Sequence, residues 1–373
     1  MKILFTGGGT GGHIFPIIAI VRELKKALPE KELKLYYIGP KDDFAFMLFS
    51  QEGVKTKRIL AGKIRRYLGI KSFFLNILDI FKTLIGIFQA FFYIFFLNPD
   101  LIFSKGGYGS LPSVIAGTLL RVPIFLHESD IVPGLANKIV GKFAIEIFAS
   151  FERTEFFPLS KMIVVGNPIR KELLNGSKER AKEIFGIQGE KKVILILGGS
   201  QGAERINNVI LNILPELLKN FELLHQTGEK NFKNVKKEAK IILPDELKKF
   251  YHPVPFLKEN ELREAFAISD LIISRAGSGA IFEIAAVGKP SILIPLPESA
   301  QNHQLKNAYA FAKNGACIVL EEANFTPHFF LEKIKNLFEN PSVLEKMKES
   351  AKKFSKPEAG KIIASYLIEY LKK

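Results

Sequence analysis

Short apolar runs closed by polar or glycine residues recur along the chain, separated by longer stretches in which apolar positions return at helical spacing. Runs of this kind at residues 2–6, 33–39, 101–103, 123–126, 145–149 and 162–165 predict buried parallel strands, because strands covered on both faces lose the in–out alternation. A helix is predicted over residues 14–28. The pattern then restarts with runs at 192–197, 221–225, 271–274 and 291–294. Two strand–glycine-loop–helix units lie about 190 residues apart. The expectation is an α/β fold of two Rossmann-like domains rather than one large sheet. Turn chemistry at Gly166-Asn167-Pro168 puts the boundary there, giving domains 1–165 and 166–355, and residues 358–373 read as an amphipathic helix.

Residues 73–97 carry eight phenylalanines, yet Asn76, Asp79, Lys82, Thr83 and Gln89 recur at three- and four-residue spacing on one side of a helix. The uninterrupted apolar portion falls short of the ~20 residues that span a bilayer. The reading is an amphipathic helix covering the sheet, with part of its apolar face free for lipid.

Composition narrows the class. A length of 373 residues fits two domains, and 47% hydrophobic residues suffice for two cores. The single cysteine, Cys317, excludes an internal disulfide, and Met1 leads straight into a strand rather than a signal peptide. The net charge of +15 favours an anionic partner. That excess is local, with Lys55, Lys57, Arg58, Lys63, Arg65, Arg66 and Lys71 between residues 53 and 78 and no acidic residue among them. Upstream of the phenylalanine helix, such a cluster suits an anionic membrane surface.

Five strand-end loops carry the chemistry. Gly7-Gly8-Gly9-Thr10-Gly11-Gly12-His13 follows the first strand, where glycines admit a phosphate and the next helix offers unpaired N–H groups. A dinucleotide site would need an acid closing the second strand, but that strand ends Tyr37-Ile38-Gly39-Pro40. His13 is placed for acid–base work beside that loop. The loop Ser104-Lys105-Gly106-Gly107-Tyr108 and the cluster His127-Glu128-Ser129-Asp130 sit at the same edge. In the second half, Gly198-Gly199-Ser200-Gln201-Gly202-Ala203 suits a diphosphate, with Arg170 facing it across a cleft. Arg275-Ala276-Gly277-Ser278 opens a helix in which Glu283 is placed to bind two ribose hydroxyls. A nicotinamide oxidoreductase leaves the second glycine loop unexplained. A nucleic-acid-binding protein leaves all the loops unexplained, so no nucleic acid is expected.

Together these pieces resemble the MurG family of N-acetylglucosaminyltransferases. The resemblance rests on Gly8-Gly9-Thr10-Gly11-Gly12-His13, Gly106-Gly107-Tyr108, Leu126-His127-Glu128, Gly166-Asn167-Pro168-Ile169-Arg170, Gly198 to Ala203, Arg275-Ala276-Gly277 with Glu283-Ile284-Ala285-Ala286, and Gln304 with Asn307-Ala308. It implies a glycosyltransferase-B architecture of two Rossmann-like domains facing a cleft, with the helix at 356–373 packing back on the first. It also implies inverting transfer of N-acetylglucosamine from UDP to the 4-hydroxyl of undecaprenyl-diphospho-muramyl-pentapeptide, at the cytoplasmic face of the membrane. The donor contacts it implies are Thr10, Gly11, Gly12, Arg170, Ser200, Ser278, Gly279, Ala280, Ile281, Phe282, Glu283 and Gln304. His13 is the expected base, with Glu128 and Asp130 in reserve. Asp130 stands where relatives have a donor-binding asparagine, and a carboxylate cannot donate the bond an amide can. No cofactor and no bound metal are expected.

Overall fold

The structure, a computed structural model, describes residues 1–8, 11–63, 70–199 and 202–373, without the side chains of 70–73. The described residues form two compact units, Met1–Arg170 with Lys356–Lys373, and Lys171–Ser355.

In the first unit, β1 (Lys2–Thr6), β2 (Lys34–Gly39), β3 (Lys55–Arg58), β4 (Leu101–Ser104), β5 (Ile124–Glu128), β6 (Glu146–Ala149) and β7 (Met162–Val164) form a parallel sheet in the order β3-β2-β1-β4-β5-β6-β7. Side chains alternate across it, as the two-residue strand period requires. Ile3, Phe5, Phe103, Phe125 and Phe148 pack on one face with Ile17, Val21 and Leu24 of the Gly11–Ala27 helix. Ile363 and Leu367 of the closing Ala359–Lys372 helix join them, and Tyr370 meets the Phe125 ring edge-on at 5.0 Å. Leu4, Ile102, Leu126 and Ile147 pack on the other face with Val114 of the Leu111–Leu119 helix and with Ala90 and Ile94. Each such side chain, fully buried, contributes about 1.5–3 kcal/mol. The unit continues past Gly166-Asn167-Pro168 because Pro168 lies beside Gly360 and the Arg170 guanidinium stacks on Phe15.

The Ile70–Leu97 helix covers the sheet through Ala90 and Ile94, as expected, but the same inward side also carries polar residues. Its polar row faces inward. Gln89 Oε1 accepts from Leu60 N–H at 2.8 Å, Thr83 Oγ1 accepts from Gly62 N–H at 3.1 Å, and Asp79 is buried with Lys82 paired to it at 3.2 Å. The 59–62 segment follows an edge strand and has backbone donors to satisfy, and this row satisfies them. Phe74, Leu78, Phe81, Leu84, Phe88, Phe92, Phe95 and Phe96 are left exposed, Phe88 to 70% and Phe96 to 78%. By length and composition, residues 74–97 are apolar enough to cross a membrane, although Asn76, Asp79, Lys82, Thr83 and Gln89 interrupt the apolar run as read from the sequence.

The second unit repeats the plan. β8 (Lys192–Leu197), β9 (Phe221–Gln226), β10 (Tyr251–Val254), β11 (Leu271–Ser274), β12 (Ser291–Leu293) and β13 (Cys317–Val319) are parallel in the order β10-β9-β8-β11-β12-β13. Ile194, Ile196, Leu223, Ile273 and Ile292 form a core with Ile206, Ile210, Leu214 and Leu217 of the Glu204–Asn220 helix and Phe330 and Ile334 of the Pro327–Glu339 helix.

Candidate active site

Strand order reverses between β1 and β4 in the first unit and between β8 and β11 in the second. At such switch points, loops leaving neighbouring strands diverge and open a crevice at the carboxyl ends. The register pairs Thr6 with Ser104 and Ser104 with Leu126, so the loops starting at Gly7, Lys105 and Ser129 emerge side by side.

The first switch point is dense in titratable groups. His13 lies in the first turn of the Gly11–Ala27 helix, half-buried. Desolvation and then the Lys105 ammonium push its imidazole down to about 3, so it is neutral, and a weak base, at neutral pH. Gly106 and Gly107 take left-handed backbone (φ +84° and +79°). A Cβ on Gly107 would stand 2.7 Å from Gly8 O and 3.0 Å from His13 Nε2, so glycine there lets the turn close against the imidazole. Tyr37 donates its hydroxyl to Gly7 O at 2.8 Å, and Pro40 packs on Gly8. Those two side chains fill the end of β2 where a dinucleotide site would present its acid.

The cluster after β5 separates into distinct roles. His127 is buried, with Nε2 3.0 Å from Gly166 O, and ties β5 to the turn leading to Arg170. Glu128 is buried too. Its Oε1 accepts from Asp130 N–H at 2.8 Å and its Oε2 from the Asn137 side-chain amide at 2.7 Å. Burial and then Asp130 push the Glu128 carboxyl well above the usual carboxylate range, while the two donated bonds and Lys105 pull it back. Lys105, 1% exposed, donates to Ser129 Oγ, and burial lowers its ammonium to about 8 against the pull of Glu128 and Asp130. Asp130 is half-buried at the rim. Arg170 is buried with its guanidinium 4.0 Å from the Phe15 centroid, next to the start of the glycine-loop helix. Sequence reasoning missed Lys105 and Asn137 as site residues. A lysine closing an otherwise apolar strand was the available signal for the first, and spacing offered none for the second.

The second switch point is quieter. Gly198 N–H donates to Gln226 O at 3.1 Å, and Gln226 donates back to Gly199 O at 3.1 Å, which fixes the mouth of that loop. The Ser278–Val287 helix begins after Gly277 without a side-chain cap, and the buried Ser278 hydroxyl has no partner among the described residues. An uncapped helix start with an unused hydroxyl suits an anion or a sugar. Gly279, Ala280 and Glu283 are half-buried on this helix, whereas Ile281 and Phe282 are core residues whose side chains face inward. Arg275 donates to Ile294 O at 3.1 Å and pairs with Glu322 at 2.5 Å, so it braces the loop after β12. Gln304 Oε1 accepts from Leu296 N–H at 3.0 Å in that same loop. There Gln301 and Asn302 both hold left-handed backbone (φ +56° and +54°), strain of the kind stored at ligand clamps. Thr10 and Ser200 lie outside the described residues. Among the described residues, no group of three or more His, Cys, Asp or Glu side chains could hold a metal ion.

Comparison with known proteins adds what geometry cannot. Residues 3–149 match the glycosyltransferase family 28 N-terminal domain, and residues 193–362 match the glycosyltransferase family 28 C-terminal domain. The chain is 39% identical over 370 residues, 99% of both chains, to a UDP-N-acetylglucosamine–N-acetylmuramyl-(pentapeptide) pyrophosphoryl-undecaprenol N-acetylglucosamine transferase of Bacillus cereus. Among solved structures it is similar to MurG of Acinetobacter baumannii, with a TM-score of 0.72, 24% identity, and 98% of this chain and 99% of that one covered. It is also similar to a UDP-GlcNAc 2-epimerase of Neisseria meningitidis, with a TM-score of 0.69, 19% identity, and 99% and 100% covered. The fold alone therefore serves both a transferase and an epimerase, and the sequence match decides between them. With both domain matches and a near full-length relative, the chain belongs to glycosyltransferase family 28.

Proposed function

We propose that this protein transfers N-acetylglucosamine from UDP-N-acetylglucosamine to an undecaprenyl-diphospho-muramyl-pentapeptide, the lipid I to lipid II step of peptidoglycan synthesis. The observation that carries this reading is the 39% identity over 99% of the chain to a transferase so named. The two strand-end sites support it by being unlike each other. The second unit offers an uncapped helix start, the Ser278 hydroxyl, Glu283 and Gln304 to a UDP-sugar. The first unit offers a neutral imidazole against a glycine turn.

In this mechanism the acceptor's 4-hydroxyl attacks the anomeric carbon and UDP leaves from the opposite side, inverting the centre. His13 takes the hydroxyl proton. An imidazole with a conjugate acid near pKa 3 is a weak base, but a diphosphate anion bound at the adjacent glycine loop favours the imidazolium and raises it. Gly11, Gly12 and Arg170 lie at that loop and its helix, where N–H groups and a cation take the charge of the leaving diphosphate.

The acceptor's lipid tail stays in the bilayer, so the first unit works at the membrane surface. The outward row from Phe74 to Phe96 and the exposed Lys55, Lys57, Arg58 and Lys63 support peripheral docking on an anionic leaflet at the cytoplasmic face. Lying on the surface fits better than spanning it, because Asp79, Thr83 and Gln89 are held by the protein midway along the helix.

A product assay tests the function. With UDP-N-acetylglucosamine and lipid-linked muramyl-pentapeptide, a lipid-linked disaccharide-peptide and free UDP are expected. Conversion of the nucleotide sugar to its 2-epimer without transfer would overturn the reading in favour of the epimerase chemistry that shares the fold.

A further inference from the structure

Glu128 is a carboxylate at the carboxyl end of β5, which makes it a rival to His13 for the proton. Its contacts assign it different work. Both oxygens are engaged, Oε1 by Asp130 N–H at 2.8 Å and Oε2 by Asn137 Nδ2 at 2.7 Å, and the side chain is 2% exposed. A carboxylate only accepts, whereas an amide has one donating end and one accepting end. Glu128 therefore forces Asn137 to turn its NH₂ inward and its carbonyl oxygen the other way. That oxygen accepts from Gly107 N–H at 3.1 Å. Gly107 is the residue whose missing side chain lets the turn close on His13 Nε2 and Gly8 O. Gly106 is glycine because a Cβ there would collide with the same Asn137 amide. A single direction of hydrogen bonding thus runs from β5 through the Leu135–Phe143 helix to the turn that walls the imidazole.

We propose that Glu128 and Asn137 are positioning residues for the transfer reaction, which together hold the Gly106–Gly107 turn against His13 by the polarity of their hydrogen bonds, and that Glu128 does not itself take the proton. The inference rests on the proposed function for its readout in turnover. Lys105 completes the arrangement, since its buried ammonium beside Ser129 offsets the carboxylates of Glu128 and Asp130.

Reversing the polarity of the pair tests this. Glu128→Gln alone sets a donor against the Asn137 NH₂ or against Asp130 N–H, whichever way the new amide turns. Asn137→Asp alone sets two carboxylates face to face. In the double variant the new amide accepts from Asp130 N–H and donates to the new carboxylate, whose other oxygen accepts from Gly107 N–H. The bonds and the net charge of the pair are then those of the wild type. Each single variant is expected to lose about 10- to 100-fold in kcat, as a broken buried hydrogen bond does, with UDP affinity nearly unchanged. The double variant is expected to recover to within about threefold of wild type, because residues in direct contact are coupled and the second change cancels the cost of the first. Amide hydrogen exchange at Gly107 supplies a readout independent of turnover, with protection lost in each single variant and restored in the double. A double variant with Gly107 protected but turnover as low as Glu128→Gln would mean that the carboxylate at 128 takes the proton. Single variants with wild-type kcat, or a double variant without Gly107 protection, would overturn the polarity relay. If the wild type itself transfers no sugar, the proposed function fails, and the exchange pattern still decides the relay.

Discussion

The two strand-end sites share a topology and differ in chemistry. At the first, His13, Lys105, Glu128 and Asp130 crowd a crevice where burial moves three of them far from their ordinary pKa values. At the second, an uncapped helix start and the unpartnered Ser278 hydroxyl lie on the helix that carries the half-buried Glu283, while Arg275 braces a loop. On the proposed function, the perturbed titratable groups of the first site serve proton transfer and the fixed dipoles of the second serve donor binding. The same βα scaffold thus presents two chemically different strand-end sites, set by the residues placed there.

The largest effect should come from removing the base. His13→Ala is expected to lower kcat by about 10²–10⁴, the usual contribution of a positioned general base. Turnover near wild type would move proton abstraction to another group and remove the contrast between the sites.

The next contrast lies within the first unit, between its inner polar row and its outer phenylalanines. Phe88→Ser with Phe92→Ser should weaken binding to anionic vesicles about tenfold or more, since each buried ring contributes roughly 1.5–3 kcal/mol. Wild type should stay partly bound at 1 M salt, where screening shortens to ~3 Å, and the variant should not. Complete release of the wild type by salt would reduce docking to charge, and changing Lys63, Arg65 and Arg66 to Ser should then abolish it.

The smallest effect concerns acid stability. In the second unit His225 is buried between Tyr251 and Asn207, and desolvation holds its imidazole at about 3. Above pH 6.5 both folded and unfolded chains carry it neutral, so it contributes nothing there. As pH falls from 6.5 towards 3, the unfolded chain takes a proton that the fold refuses, and stability declines by about 2 kcal/mol at pH 5. Thermal unfolding at pH 7 and pH 5 measures this, and His225→Gln should show the shallower slope. Equal slopes would place the acid sensitivity elsewhere, with His13 and His127 in the first unit.

Inner strands were legible in the sequence because burial on both faces leaves continuous apolar runs. β3, β10 and β13 were missed, and all three are sheet edges. An edge strand needs no second apolar neighbour, so β3 reads Lys-Thr-Lys-Arg and β10 tolerates Pro253. The two faces of the Ile70–Leu97 helix were visible in its periodicity, but that Thr83 and Gln89 turn inward alongside Ala90 and Ile94 depended on the backbone donors of Leu60 and Gly62, which no local pattern reveals. The glycine loops and His13 could be read because strand, loop and helix are contiguous. Asn137 could not, because it reaches Gly107 across 30 positions of chain.

The division of labour between the sites is tested most directly by measuring UDP affinity calorimetrically beside kcat for His13→Ala and Glu283→Ala. The account predicts opposite failures. His13→Ala should bind UDP normally and turn over slowly. Glu283→Ala should lose about 1.5–3 kcal/mol of donor binding, the cost of hydrogen bonds to a charged group, while kcat at saturating donor stays near wild type. Normal UDP affinity with collapsed kcat in Glu283→Ala would contradict it, because the second site would then be doing the chemistry assigned to the first.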